Sequence, residues 1–221
     1  MTDRQNPKIS SRKQPKQVRS TELVTAILEA AAQVLAKEGA QRFTTARVAE
    51  KAGVSIGSLY QYFPNKAAIL FRLQSDEWRT TTNLLRTILE DTRRPPLERV
   101  RTLVHAFIRS ECEEVEMRVA LDDAAPLYRD APEAQEAKAS GQHAVQLFMQ
   151  EILPEASEAT RTLAADLIKT TLSTVGKHFS ESARTSAEIE AYADTMADMF
   201  CAYLEGLKSG GSRRLGWQSR Q

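Results

Sequence analysis

The 221-residue chain reads as all-α, with about nine helices, on three observations. Apolar residues recur at spacings of three and four through segment after segment, which is the period of one helix face. Glycine and proline fall mostly between those segments, at Gly39, Gly53, Pro64, Pro95-Pro96, Pro126 and Pro154, where they end or start helices. No run alternates apolar and polar residues in the way a half-buried strand does.

Residues 1–20 are polar and aperiodic, with Pro7, Pro15 and scattered Lys and Arg. The expectation is a flexible basic arm, suited to lying along phosphates or entering a minor groove, or simply a soluble tail. From Thr21 the pattern turns helical: Leu23, Ile27, Ala30, Ala31, Val34 and Leu35 share one face, and Gly39 closes the helix. Two short helices follow around Gly53. Pro64-Asn65-Lys66 then starts a long helix, with Asn65 as N-cap, that carries Ala68, Ile69, Leu70, Leu73, Trp78, Leu84, Leu85, Ile88 and Leu89 to about Thr92.

After Pro95-Pro96, Leu97, Val100, Leu103, Val104, Phe107 and Ile108 mark a helix to about Glu114. A short helix over 115–125 ends near Pro126, and another, weaker in period, runs from Ala131 to Leu153. Two long amphipathic segments follow, one with Leu163, Leu167, Ile168, Leu172, Val175 and Phe179, the other with Ile189, Tyr192, Met196, Met199, Phe200, Tyr203, Leu204 and Leu207. The Gly/Ser-rich stretch 209–221 reads as a disordered tail.

Composition narrows the class. With 42% apolar and 27% charged residues the chain is globular. It has no run near the ~18 apolar residues of a membrane helix and no apolar secretory segment at its start. A cytoplasmic protein without a membrane partner is expected, with Cys112 and Cys201 as buried thiols in a reducing compartment. The net charge of +1 hides an asymmetry: residues 1–72 hold twelve Lys/Arg against five acids, +7, which leaves −6 for the rest. A basic head on an acidic body is the footprint of a polyanion binder, or a chance distribution of solvated charge.

The stretch Thr44–Lys66, TTARVAEKAGVSIGSLYQYFPNK, decides between those readings. Val48, Ala49 and Ala52 give its first helix an apolar face, Gly53 allows the positive φ of a tight corner, and Ser55 can cap the second helix. This is a helix-turn-helix layout, whose second helix enters a DNA major groove. Leu59 and Phe63 are expected in the core rather than on DNA.

Residues 21–81, densest between Phe43 and Leu70, resemble the DNA-binding domain of the TetR family of bacterial transcriptional regulators. The resemblance implies a head over 21–81 with its motif at 44–63, and an effector-binding and dimerisation domain over 82–208 that matches in all-α architecture only. It implies phosphate contacts from Thr45, Arg47, Tyr60, Tyr62 and Lys66, and an opening of the recognition helix at Ser55, Ile56, Gly57 and Ser58 that meets base edges. Gly57 lets the backbone approach without reading a base, Ser58 reads ambiguously, and Gln61 can pair with adenine. Ile56 can meet a thymine methyl or pack inward, and Tyr62 can be partly core.

The implied partners are a double-stranded DNA operator, a second copy docked through the last two long helices, and an unknown small-molecule effector. Candidate effector contacts are Trp78, His105, Phe107, Met117, Leu121, Phe148 and His178, with His143 as a further possibility; no cofactor or metal is called for. The expected function is a dimeric regulator, most simply a repressor released from a palindromic operator by its effector. A helical interaction module that never touches DNA is the rival reading. Catalysis is not expected: there is no Gly-rich phosphate loop, GxSxG or HExxH, and the three histidines lack metal spacing.

Overall fold

The computed structural model describes residues 9–11, 18–128 and 142–209. They form nine α-helices, and no strand occurs among the described residues. Helix α1 spans Val18–Arg42, α2 Thr45–Lys51, α3 Ile56–Tyr62, α4 Lys66–Glu90 and α5 Pro96–Glu113. Helix α6, Val115–Ala124, runs into a 3-10 turn over Ala125–Leu127, and α7 (Gln142–Ile152), α8 (Glu158–Ser180) and α9 (Ser186–Ser209) follow.

Element bounds shift in a few places. α1 begins ahead of Thr21, and Gly39 leaves helical geometry as expected at φ 72°, yet the helix resumes as far as Arg42. α4 stops at Glu90, where Thr92 N donates to Glu90 O (2.8 Å) and Arg94 N to Asp91 O (3.1 Å) in a tight turn ahead of Pro95. α9 includes Ser209, whose hydroxyl donates to Glu205 O at 2.9 Å, so the helix covers the first residue of the expected tail. The helix expected over Ala131–Leu153 is described from Gln142 to Ile152; residues 129–141 lie outside the described residues, as do 210–221 and most of the expected arm.

The chain divides into two compact units. Of the described residues, the first holds 9–11, 18–80 and 116–128, and the second holds 81–115 and 142–209. Residues 116–128 thus group with the head, although they fall within the 82–208 span expected for the second domain. Ala120, Leu121, Ala124 and Tyr128 are buried in the same core as Ile27, Leu35, Phe43, Leu59, Phe63 and Ile69, which supplies the reason. Tyr128 donates its hydroxyl to Leu121 O (3.0 Å) and Gln74 Oε1 (3.2 Å), and burial pushes its phenol well above the usual range. Ile9 is buried in this core too, so part of the expected free arm is packed: a lone branched aliphatic in a polar run gains by leaving water.

The second unit is organised around α5, whose Val100, Val104 and Ile108 are buried among Leu172 of α8 and Ala193, Ala197 and Phe200 of α9. Arg99 is fully buried there. It donates to Leu89 O in the last turn of α4 and to Glu151, with its guanidinium 5.2 Å from the Phe148 ring centroid. On the surface, Arg101 pairs with Asp198, His105 faces both Glu190 and Asp194 at 3.0 Å, and Arg109 donates to Glu190 at 2.6 Å, a polar seam joining α5 to α9. Cys201 is buried as expected and Cys112 only half-buried; both are free thiols whose pKa burial raises. Among the described residues no helix is long and apolar enough to cross a membrane.

Candidate nucleic-acid interface

Two seven-residue helices carry the candidate surface, and both are held by their ends. Thr44 caps α2, its hydroxyl accepting from Arg47 N at 3.3 Å. At the other end Gly53 N donates to Glu50 O (3.1 Å) and Val54 N to Ala49 O (3.0 Å). That pair of bonds is the Schellman closure, and it needs a left-handed residue at Gly53, which sits at φ 67°. Ser55 then caps α3 by accepting from Ser58 N at 3.0 Å, and Asn65 caps α4 by accepting from Ala68 N at 2.9 Å, both as expected.

The apolar sides point inward. Val48 and Ala49 of α2 and Leu59 of α3 are buried, and Phe63 directly after α3 is 1% exposed. Tyr62, read as a phosphate contact, is buried as well at 5%: it lies three residues after Leu59 and one before Phe63, on the face that seals the head. The core component of that reading therefore prevails. The outward side of α3 consists of Ile56 (43% exposed), Gly57, Tyr60 (40%) and Gln61. Among the described residues the side chains of Gln61 and of exposed Lys66 have no hydrogen-bonding or ionic partner, so both groups are available to a ligand.

The polar groups are less available than their residue types suggest. Thr45 Oγ1 and Tyr60 Oη lie 3.0 Å apart, bonding α2 to α3 across the surface. Ser55 Oγ and Ser58 Oγ lie 2.8 Å apart, so the Ser58 hydroxyl is engaged with the cap rather than presented alone. Arg47 sits in the first turn of α2 as expected, but its guanidinium pairs with Glu38 and donates to Arg42 O at 3.3 Å. The Thr45–Tyr60 and Glu38–Arg47 contacts were not legible in sequence, since their separations follow no helical spacing. The Ser-x-x-Ser pattern at 55–58 was the one available signal.

The candidate effector residues separate into the two units. Trp78, Met117 and Leu121 belong to the first, Trp78 and Met117 half-buried and Leu121 in its core. His105, Phe107, Phe148 and His178 belong to the second. There Phe148 is core and Phe107 packs against it, while His178 and His143 are exposed. His105 lines a shallow concavity of about 390 Å³ with Glu98, Arg101, Thr102, Ala106 and Arg109.

Comparison with known proteins bears on both units. The family described as "Tetracyclin repressor-like, C-terminal domain" matches residues 95–207, and "Bacterial regulatory proteins, tetR family" matches residues 27–73. The nucleoid occlusion factor SlmA of Vibrio campbellii is 39% identical over 83 residues, which are 37% of this chain and 42% of that protein. The chain thus spans less than half the length of this curated relative. The fatty acid degradation regulator FadR of Bacillus halodurans superposes with a TM-score of 0.58 at 16% identity, over 85% of this chain and 97% of the other. A TetR-family transcriptional regulator of Haemophilus influenzae does so with a TM-score of 0.56 at 18% identity, over 82% and 98%. At such identities the likeness is one of fold.

The two glycines of the motif have opposite expected responses. A Cβ at Gly53 meets nothing within 4 Å, so Gly53→Ala is opposed by backbone conformation alone and is expected to lose about 1–2 kcal/mol. Gly57 lies inside α3 at ordinary φ, where a Cβ would meet only Ser55 Oγ in ordinary contact at 3.8 Å, and Gly57→Ala is expected to gain up to about 1 kcal/mol. Urea unfolding followed by circular dichroism distinguishes the two; equal effects would contradict this account of the turn.

Proposed function

This chain belongs to the tetR family of bacterial regulatory proteins, and from that premise we propose that it is a dimeric DNA-binding transcriptional repressor acting in the cytoplasm. One observation carries the reading. The outward side of α3 is an exposed row of Ile56, Gly57, Tyr60 and Gln61, mounted on buried Leu59, Tyr62 and Phe63 by caps at both ends. A helix held so tightly, with its solvent face unoccupied, is positioned to enter a major groove. In this reading Gln61 reads an adenine edge, Ile56 meets a thymine methyl, the Thr45–Tyr60 pair meets the backbone, and Lys66 anchors a phosphate at the start of α4. The +7 charge of residues 1–72 supports it, since polyanion binding needs cations on that side of the chain. The rival interaction module gives no account of that charge.

Dimerisation through α8 and α9 is supported by two uncharged stripes. Ala159, Leu163, Leu167, Thr170 and Thr174 follow one face of α8, and Ala191, Thr195, Met199, Ala202 and Gly206 follow one face of α9. All are exposed, with Leu163 at 66% and Met199 at 50%. The Thr195 hydroxyl donates to Ala191 O at 2.9 Å, which lowers the cost of burying it. Two heads held by such an interface read the halves of a palindrome. Release follows if an effector, bound in the second unit, favours a head spacing that fits the operator poorly; the family supplies that part of the proposal.

Duplexes selected from a random pool by the protein supply the test. Lys66→Ala is expected to weaken binding to all duplexes alike, and Gln61→Ala to relax preference at one base pair by about 1–3 kcal/mol. No enrichment of any duplex, or identical behaviour of the two variants over a panel of altered sites, would overturn the assignment. For the interface, Leu163→Glu with Met199→Glu is expected to shift sedimentation from dimer to monomer without loss of helicity, and an unmoved dimer would place the interface elsewhere.

A further inference from the structure

Glu38 is a partly exposed acid of the head that pairs with Arg47. It lies immediately before the left-handed Gly39, and beyond that kink the chain brings Arg47, in the first turn of α2, to pair with the Glu38 carboxylate. The same guanidinium donates at 3.3 Å to Arg42 O, the last residue of α1. A carbonyl at a helix C-terminus carries partial negative charge, so Arg47 is held by two acceptors at one end of α1. Both side chains remain partly exposed, 47% for Arg47 and 30% for Glu38, so the pair is open to exchange with a ligand.

We propose that Glu38 is an intramolecular competitor for Arg47, setting how strongly and how salt-dependently the α2 end of the head engages a DNA phosphate. This rests on the DNA-binding reading and deepens it. Glu38 and the Arg42 carbonyl both engage Nη1, so a phosphate that takes that edge displaces the carboxylate, and one that meets the remaining N–H donors stands beside it as a like charge. An exposed pair of this kind is weak enough to exchange, so its effect is graded tuning rather than a block. Phosphate contact does not distinguish sequences, and the tuning acts on every duplex alike.

The test is a double-mutant cycle on the full-length chain, using one pool-selected duplex and one unrelated duplex over a series of salt concentrations. Glu38→Gln is expected to tighten binding to both duplexes about 2–5-fold, with a salt slope steeper by a fraction of the ~0.9 that one whole phosphate contact contributes. Arg47→Ala is expected to weaken binding by a factor about 2–5-fold larger in the Glu38→Gln background than in the natural chain. Glu38→Ala should tighten binding as Glu38→Gln does, and both variants should keep the natural melting temperature within a few degrees, so that a folding defect is recognised as such. If Glu38→Gln tightens binding equally with and without Arg47, the effect is general repulsion and the proposal is overturned. Unchanged or weakened binding overturns it too. Failure of the natural chain to enrich any duplex would instead count against the regulator reading, and this inference would fall with it.

Discussion

A seven-residue helix has almost no interior. Its first four N–H groups and last four C=O groups lack helical partners, so such a helix holds its shape only if its ends are satisfied from outside. The candidate surface is made of two of them, α2 and α3, set end to end across Ala52–Ser55. Everything about that surface follows from how the ends are closed: the Thr44 hydroxyl at one, the two Gly53-dependent bonds at the corner, the Ser55 hydroxyl at the next, and Asn65 starting α4. Buried Val48, Ala49, Leu59, Tyr62 and Phe63 fix the rotation of both helices, so Ile56, Tyr60 and Gln61 face outward by necessity.

Several groups that the sequence offers as DNA contacts are bonded within the head. Ser55 and Ser58 are bonded to one another at the cap, Thr45 and Tyr60 to one another across the helices, and Arg47 to Glu38. A hydroxyl pair still has lone pairs to offer a phosphate, but it discriminates bases poorly. In the proposed function, directional readout thus narrows to Gln61, helped by apolar contact from Ile56 and by the shape of the DNA itself. Rigidity and readout compete for the same few side chains.

What was legible in the sequence was whatever depends on local period and on end chemistry. Gly39, Gly53, Ser55 and Asn65 read correctly because a cap or corner is decided within four residues of itself. The apolar faces of α1 and α5 read correctly because their spacing is regular, whereas Leu84 of α4, Leu163 and Leu167 of α8 and Met199 of α9, on faces of equally regular spacing, are exposed. The remaining features involve residues distant in the chain. The grouping of 116–128 with the head depends on Leu121 and Tyr128 meeting a core that reaches back to Val24, Ile27 and even Ile9. Burial of Ile9 and the Glu38–Arg47 pair are of the same kind. Tyr62 stayed open in the sequence for another reason: an aromatic with a hydroxyl is equally suited to a core edge and to a phosphate, and the rotation of α3 buries it.

In the second unit the seam of Arg101, His105 and Arg109 against Asp198, Asp194 and Glu190 clamps α5 to α9, while the uncharged stripes on α8 and α9 stay exposed. The residues of the two stripes themselves carry no charge, although Glu158 and Asp166 flank Ala159 and Leu163 on α8. The central claim, that the outward side of α3 is the DNA-facing one, is tested most directly by oxidative side-chain labelling read by mass spectrometry, with and without a pool-selected duplex. The account predicts that Ile56 and Tyr60 lose reactivity on adding DNA while buried Tyr62 and Phe63 stay unreactive throughout. Unchanged labelling of Ile56 and Tyr60 in the bound state, with protection appearing elsewhere, would contradict it.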